Sequence, residues 1–240
     1  MKKTLLSLAA ASLAASAASA ATINVTADIA ANTQWTADNV YILDRVIYVR
    51  GGATLDIAPG TVVRGQPDET SLIAGSLVVR PDSKIQIRGT SSNPVIFTTA
   101  ALDTDGDGKV NKINGKFVRW TAGNDSKFID LNPAGAPLAP TILSDDDVNA
   151  TETTVRTMQM WGGLVVMGDA FTNNSNQVDV DGDTDVDTLD LGKGIVEGLT
   201  GADAIYGGVN EQHNAGSIKY LSIRHGGVGL AADKEINALT

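Results

Sequence analysis

The passage Val46 to Thr61, VIYVRGGATLDIAPGT, is written again thirty residues later as Gly75 to Thr90, GSLVVRPDSKIQIRGT, with Arg50 matched by Arg80 and Ile57 by Ile87. Each copy is a strand, a tight turn and a second strand. Val46, Ile47, Tyr48 and Val49 are β-branched or aromatic, Gly51 and Gly52 supply the turn, and Leu55 and Ile57 alternate with Thr54 and Asp56 so that one face is buried. A partial third copy, Trp161 to Ala170 (WGGLVVMGDA), aligns Leu164-Val165-Val166 with Leu77-Val78-Val79. Pro94 to Thr98 (PVIFT) adds a further strand after the turn residues Ser91-Ser92-Asn93. Repetition of short strands at this period predicts a solenoid: no unit can bury its own apolar face, but stacked coils can, each strand pairing in parallel with its equivalent one coil away. A β-sandwich would need Asn-Gly hairpin turns between antiparallel neighbours, and these are scarce.

The first twenty residues read as an export leader and not as part of the fold. Lys2 and Lys3 form a basic start, Leu5 to Leu13 is a short apolar run, and Ala18-Ser19-Ala20 is an A-x-A cleavage signature. The apolar run is too short to span a membrane. Export through the Sec pathway to the extracellular side or outer surface, with the periplasm as alternative, is expected for a single domain over residues 21–240 with no transmembrane helix. The chain carries a net charge of −10, and loss of Lys2 and Lys3 makes the remainder more acidic by two, which argues against nucleic acid and favours cations. With no cysteine, stability must come from stacking, packing and metal, not disulfides.

GATLDIAPGTVVRG, SLVVRPDSKIQIRGTSSNPVIFTT, WGGLVVMGDA, IVEGL, YGG and IKYLSIRHGGVG together resemble the right-handed parallel β-helix repeat proteins exported by bacteria. The resemblance implies an all-β, right-handed parallel β-helix over most of Val40 to Thr240, broken by two acidic insertions. It is specific for architecture only, since related pectate-lyase-like helices include lyases, hydrolases and non-catalytic adhesins. Trp35 is expected to cover the first turn. IVEGL, YGG and Ser217 to Gly227 are read as resumed coils, with Ile218, Tyr220, Leu221 and Ile223 as fillers. The strand-like ending at Thr240, without a cap, reads as a fragment of a longer chain.

The insertions, about 100–158 and 172–192, carry the chemistry. In DTDGDGKVNKIN, Asp103, Asp105 and Asp107 stand at positions one, three and five, with Gly108 sixth, Lys109 seventh, Asn111 ninth and Asn114 twelfth. Calcium takes six to eight oxygens from a sharply turning loop, and this spacing turns alternate side chains inward. The string resembles an EF-hand or dockerin calcium loop, except that Asn114 replaces the bidentate Glu. In DVDGDTDVDTLD, Asp179, Asp181, Asp183, Asp187 and Asp190 occupy positions one, three, five, nine and twelve, Asp185 lends its carbonyl at seven, and Thr184 replaces the glycine. A solvated acidic loop is the plain alternative. Asp145-Asp146-Asp147 has no such spacing and reads as surface. Phe117 and Trp120 are read as a satellite core in preference to a sugar-stacking platform.

No convincing active site is visible. Arg224 and His225 are the nearest catalytic candidates, because galacturonase-like helices place His and basic residues on successive strands, but the accompanying Asp-Asp pair is missing, and His225 reads better as a turn residue. His213 is too isolated to assign. Two functions remain. A non-catalytic structural or adhesive surface protein, stabilised by calcium and meeting surface polysaccharide or other cell-surface proteins, is preferred. A polysaccharide lyase or hydrolase is the alternative, and it requires Arg224, Lys219 or the calcium carboxylates to share one groove.

Overall fold

The computed structural model describes residues 20–67, 74–104, 110–113, 116–128, 145–147, 160–173, 179, 192–231, 234–235 and 237–240. β1 (Ala21–Val25) opens the stack, and one coil follows as β2 (Thr33–Trp35), β3 (Asn39–Leu43) and β4 (Val46–Val49). The next is β5 (Thr54–Ile57), β6 (Val62–Gly65) and β7 (Ser76–Val79). A further coil begins with β8 (Lys84–Arg88) and β9 (Val95–Thr99). It is interrupted by an excursion carrying β10 (Val110–Ile113), β11 (Lys116–Phe117) and β12 (Asp145–Asp147), and is completed by β13 (Leu164–Val166). A second excursion carries β14 (Gly194–Ile195) and β15 (Ile205–Tyr206), after which β16 (Gly216–Lys219) and β17 (Leu221–Ile223) resume the stack.

These strands form three walls. The first runs β1-β3-β6-β9-β17, the second β4-β7-β13 and the third β2-β5-β8-β16, and every neighbouring pair is parallel. The molecule is a parallel β-helix. The thirty-residue spacing is the register itself, with Val49 beside Val79 and Ile57 beside Ile87, and the partial copy stacks next in line, with Leu164-Val165-Val166 beside Leu77-Val78-Val79.

Inward side chains pile into apolar ladders such as Ile47–Leu77–Leu164 and Leu55–Ile85, all but solvent-free. Full burial of each such side chain is worth roughly 1.5–3 kcal/mol. Trp35 is buried on the edge strand β2 and stacks on Tyr41 with ring centroids 4.6 Å apart, so it packs into the core.

The outer faces of two walls are also apolar, and the excursions cover them. Leu102, Trp120 and Phe128 pack over Ile42 and Ala100 on the first wall. Gln66 clips this excursion down, donating from Nε2 to the Trp120 carbonyl at 2.8 Å and accepting from its N–H at 3.1 Å. Phe117 and Trp120 are both buried, but in separate clusters, Phe117 with Ala101, Val110 and Met160 and Trp120 with Ile42, Leu102 and Phe128, and not in one satellite core.

Two passages differ from the sequence reading. IVEGL and YGG do not resume the stack: they are the antiparallel hairpin β14–β15, whose Val196, Leu199 and Ala204 seal Val78, Val165 and Met167 on the outside of the second wall. Glycine-punctuated apolar patches serve a lid as well as a coil. Tyr220 does not fill the coil either, but turns the corner between β16 and β17 at φ 48° with its side chain exposed.

Candidate functional site

The first acidic loop leaves the stack and returns beside its own start. The Asp103 N–H donates to the Lys127 carbonyl at 2.8 Å, and the Asn111 N–H to the Leu102 carbonyl at 2.9 Å. Asn111 is buried and its Oδ1 accepts from the Thr104 hydroxyl at 2.8 Å as well as from the Thr104 N–H. Asp103 and Asn111, positions one and nine of the calcium reading, thus stand on a closed loop. Their oxygens are hard donors of the kind calcium takes. Asp105, Asp107, Lys109 and Asn114 lie outside the described residues. So do Asp181, Asp183, Asp185, Asp187 and Asp190; Asp179 is described. Among the described residues no three acidic or histidine groups assemble as a metal centre. One juxtaposition went unread in the sequence: β12 pairs in parallel with β10, setting Asp146 in register with Asn111.

Arg224 and His225 follow the end of β17. The Arg224 N–H donates to the Phe97 carbonyl at 2.9 Å, its Nε to Ser222 Oγ at 3.2 Å, and its carbonyl accepts from the Trp161 indole at 2.7 Å. His225 sits at φ 60°, with Nδ1 3.0 Å from Thr98 Oγ1 and its carbonyl accepting from the Met160 N–H at 2.9 Å. It is a hydrogen-bonded turn residue. Lys219 lies on the third wall, exposed and in register with Arg88, so it does not share a wall with Arg224. His213 fastens the second excursion to the stack, its Nε2 2.7 Å from the Pro81 carbonyl.

A cleft of ≈ 560 Å³ runs along the outside of the first wall. Its floor is the ladder Thr22, Val40, Val62 and Ile96, one residue from each successive strand. On one side lies the corner at Asn93, on the other Asp125 and Phe128 of the first excursion. Arg64 lines it, only 1% exposed, donating from Nη1 to the Thr99 carbonyl at 2.8 Å with its guanidinium carbon 4.0 Å from the Phe128 ring centre. Arg64 pairs across the wall with Thr98, and Arg224, which also lines the cleft, follows Ile223 in the next strand, where Ile223 pairs with Phe97. Asp125 accepts from the Trp120 indole at 2.9 Å. Sequence reasoning missed Arg64. Its signal is an arginine inside the apolar run TVVRG, at an outward position that a covering element must bury.

Surface charged residues of the regular passages pair between coils and with the second excursion. Arg88 makes a two-pronged contact with Asp56 at 2.7 and 2.8 Å, Asp28 bridges Arg45 and Arg50 at 3.2 and 3.3 Å, and Asp203 meets Arg80 at 2.6 Å and Arg50 at 3.7 Å.

The family description "Pectate-lyase like beta helix domain" matches residues 27–118 and 131–240, most of the chain. The chain belongs to the pectate-lyase-like β-helix family. Membership fits the three parallel walls and is compatible with both catalytic and non-catalytic members. No curated protein and no solved structure matches the chain. Among the described residues of this pectate-lyase-like domain, no helix is long and apolar enough to cross a membrane.

Proposed function

We propose that this β-helix is an exported, non-catalytic structural or adhesive protein of the cell surface, with calcium held in its Asp-rich loops. One observation carries the reading: surface arginines and carboxylates of the coils are engaged with one another, between coils in Arg88–Asp56 and Arg45–Asp28 and from coil to covering hairpin in Arg80–Asp203, where they stitch the stack. Acid–base catalysis needs such groups converging on a substrate instead. Calcium would draw on Asp103 and Asn111 and on the acidic residues of the two loops, supplying cross-links that a chain without cysteine lacks. The partners that suit this role are surface polysaccharides or other cell-surface proteins.

The competing reading, a polysaccharide lyase or hydrolase, is favoured by the presence of Arg224 on the cleft. Incubation of the purified protein with uronate polymers in millimolar calcium distinguishes the two. No unsaturated or reducing-end product is expected. Product release that disappears in Arg224→Ala would overturn the non-catalytic reading.

A further inference from the structure

We infer that the cavity under the edge of the β14–β15 hairpin is a binding site for a small organic cation, an alkylammonium with an apolar body. The hairpin leaves part of the second wall's outer face uncovered. The outward row of that wall runs Tyr48, Val78, Val165. Residues 238–240 extend the wall by one strand: the Thr240 N–H donates to the Leu164 carbonyl at 3.0 Å, and the Val166 N–H to the Thr240 carbonyl at 2.9 Å. Between this strand and the hairpin lies a cavity of ≈ 300 Å³, at the lower end of the range of about 300–1,000 Å³ of small-ligand sites. Val165 and Met167 of the wall line it, as do Ile195, Val196, Glu197 and Tyr206 of the hairpin. The two sides are fixed to one another. The Val196 N–H donates to the Ala204 carbonyl at 2.9 Å across the hairpin, and the Gly207 N–H, next to Tyr206, donates to the Gly168 carbonyl at 2.8 Å, where the wall ends. Walls fixed in this way lose little freedom when a ligand enters.

Charge selects the ligand's sign. Glu197 is the one charged residue of the lining, and no ion pair among the described residues engages its carboxylate. It stands in a chain of net charge −10, whose field gathers cations. The apolar lining then selects the kind of cation. Calcium needs six to eight oxygens, and a lining made mostly of Val, Ile and Met cannot replace the hydration shell of a metal ion. An alkylammonium carries its charge inside a carbon surface. That surface packs against Val165 and the polarizable thioether of Met167, while the charge is drawn to Glu197 and to the aromatic ring of Tyr206. Such binding goes beyond the structural or adhesive role and leaves it untouched, since the uronate assay decides that role by itself.

Methyl NMR of the protein carrying 13C-labelled methionine reads the site directly, because Met167 lines the cavity whereas Met160 is sealed in a different cluster. Titration with choline and with benzylamine should shift the Met167 methyl saturably for at least one of the two and leave the Met160 methyl in place. Which of them binds identifies the head group the cavity accepts. The matching neutral alcohols, 3,3-dimethylbutan-1-ol and benzyl alcohol, should bind at least about threefold more weakly, the scale of an exposed charge contact joined to a cation–π contact. Glu197 is exposed, so Glu197→Gln should keep the wild-type melting curve while weakening the bound amine by about twofold or more. Absence of a saturable Met167 shift with both amines, equal binding of the neutral alcohols, or undiminished affinity in Glu197→Gln would overturn the site.

Discussion

Gly75 and Gly51 are both glycines of the repeated passages, yet they hold their places for different physical reasons. Gly51 turns at φ +68° with nothing within 4 Å of the place a Cβ would take, whereas a Cβ on Gly75 would meet the Leu43 carbonyl oxygen at 2.3 Å and the Gln66 nitrogen at 2.5 Å. Gly51→Ala therefore carries only left-handed strain, about 1–2 kcal/mol. Gly75→Ala must push backbone apart in the β6–β7 connection and is expected to cost about 3 kcal/mol or more. Urea unfolding of the two variants checks this ordering, and equal losses would refute it. The turn at Gly51-Gly52 was legible in the sequence because a glycine pair between alternating strands names its own conformation. Nothing local marks Gly75, whose constraint comes from backbone outside its own strand and turn, whereas Arg64 carries a local mark, a charge inside an apolar run, and only the element that buries it is distant.

The hairpin β14–β15 is held by a small set of contacts. Its hydrogen bond from the Val196 N–H to the Ala204 carbonyl measures 2.9 Å, and Asp203 beside it reaches Arg80 and Arg50. Beneath it, burial raises the Tyr48 pKa above its ordinary value of 10.0, and the charges of Asp203 and then Asp28 raise it further. The folded protein therefore binds the phenolic proton more tightly than the unfolded chain does. Stability from this group is complete below pH 10 and declines as the pH rises through the folded value. In Asp203→Asn, Tyr48 should titrate at lower pH than in wild type, visible in the 13Cζ shift of labelled tyrosine. Global stability should fall by less than about 1 kcal/mol, since the ion pairs are a third exposed. An unchanged Tyr48 titration would show that Asp203 does not act on it. The sequence misread this hairpin because its strands are two residues each, too short for a period to show. The walls were legible where the corners keep one length: β4 to β7 on the second wall and β5 to β8 on the third repeat at thirty. On the first wall Val40 pairs with Val62 and Val62 with Ile96, so unequal corners erase the period there.

At the scale of the whole molecule, an acidic chain folds as a stack whose two covered walls depend on long excursions, and both excursions contain an aspartate ladder. Carboxylates crowded on a short loop repel one another, so a loop that closes on itself, as Asp103 and Asn111 do, gains most from a cation that bridges them. Calcium that binds only the folded state at about a hundred times its dissociation constant adds about 2.7 kcal/mol. For a domain of this size each kcal/mol is worth roughly 2–4 °C in Tm. The melting temperature should therefore rise by several degrees between chelator and millimolar calcium. General screening of an acidic protein would also stabilise it, but sodium chloride of matched ionic strength supplies that equally well. The calcium increment should survive the sodium control and shrink in Asp103→Asn, whose position lies in the loop that clamps the cover of the first wall. Superimposable curves in calcium and in matched sodium would leave the ladders as solvated acidic loops, and the stack would then rest on its apolar ladders and inter-coil ion pairs alone.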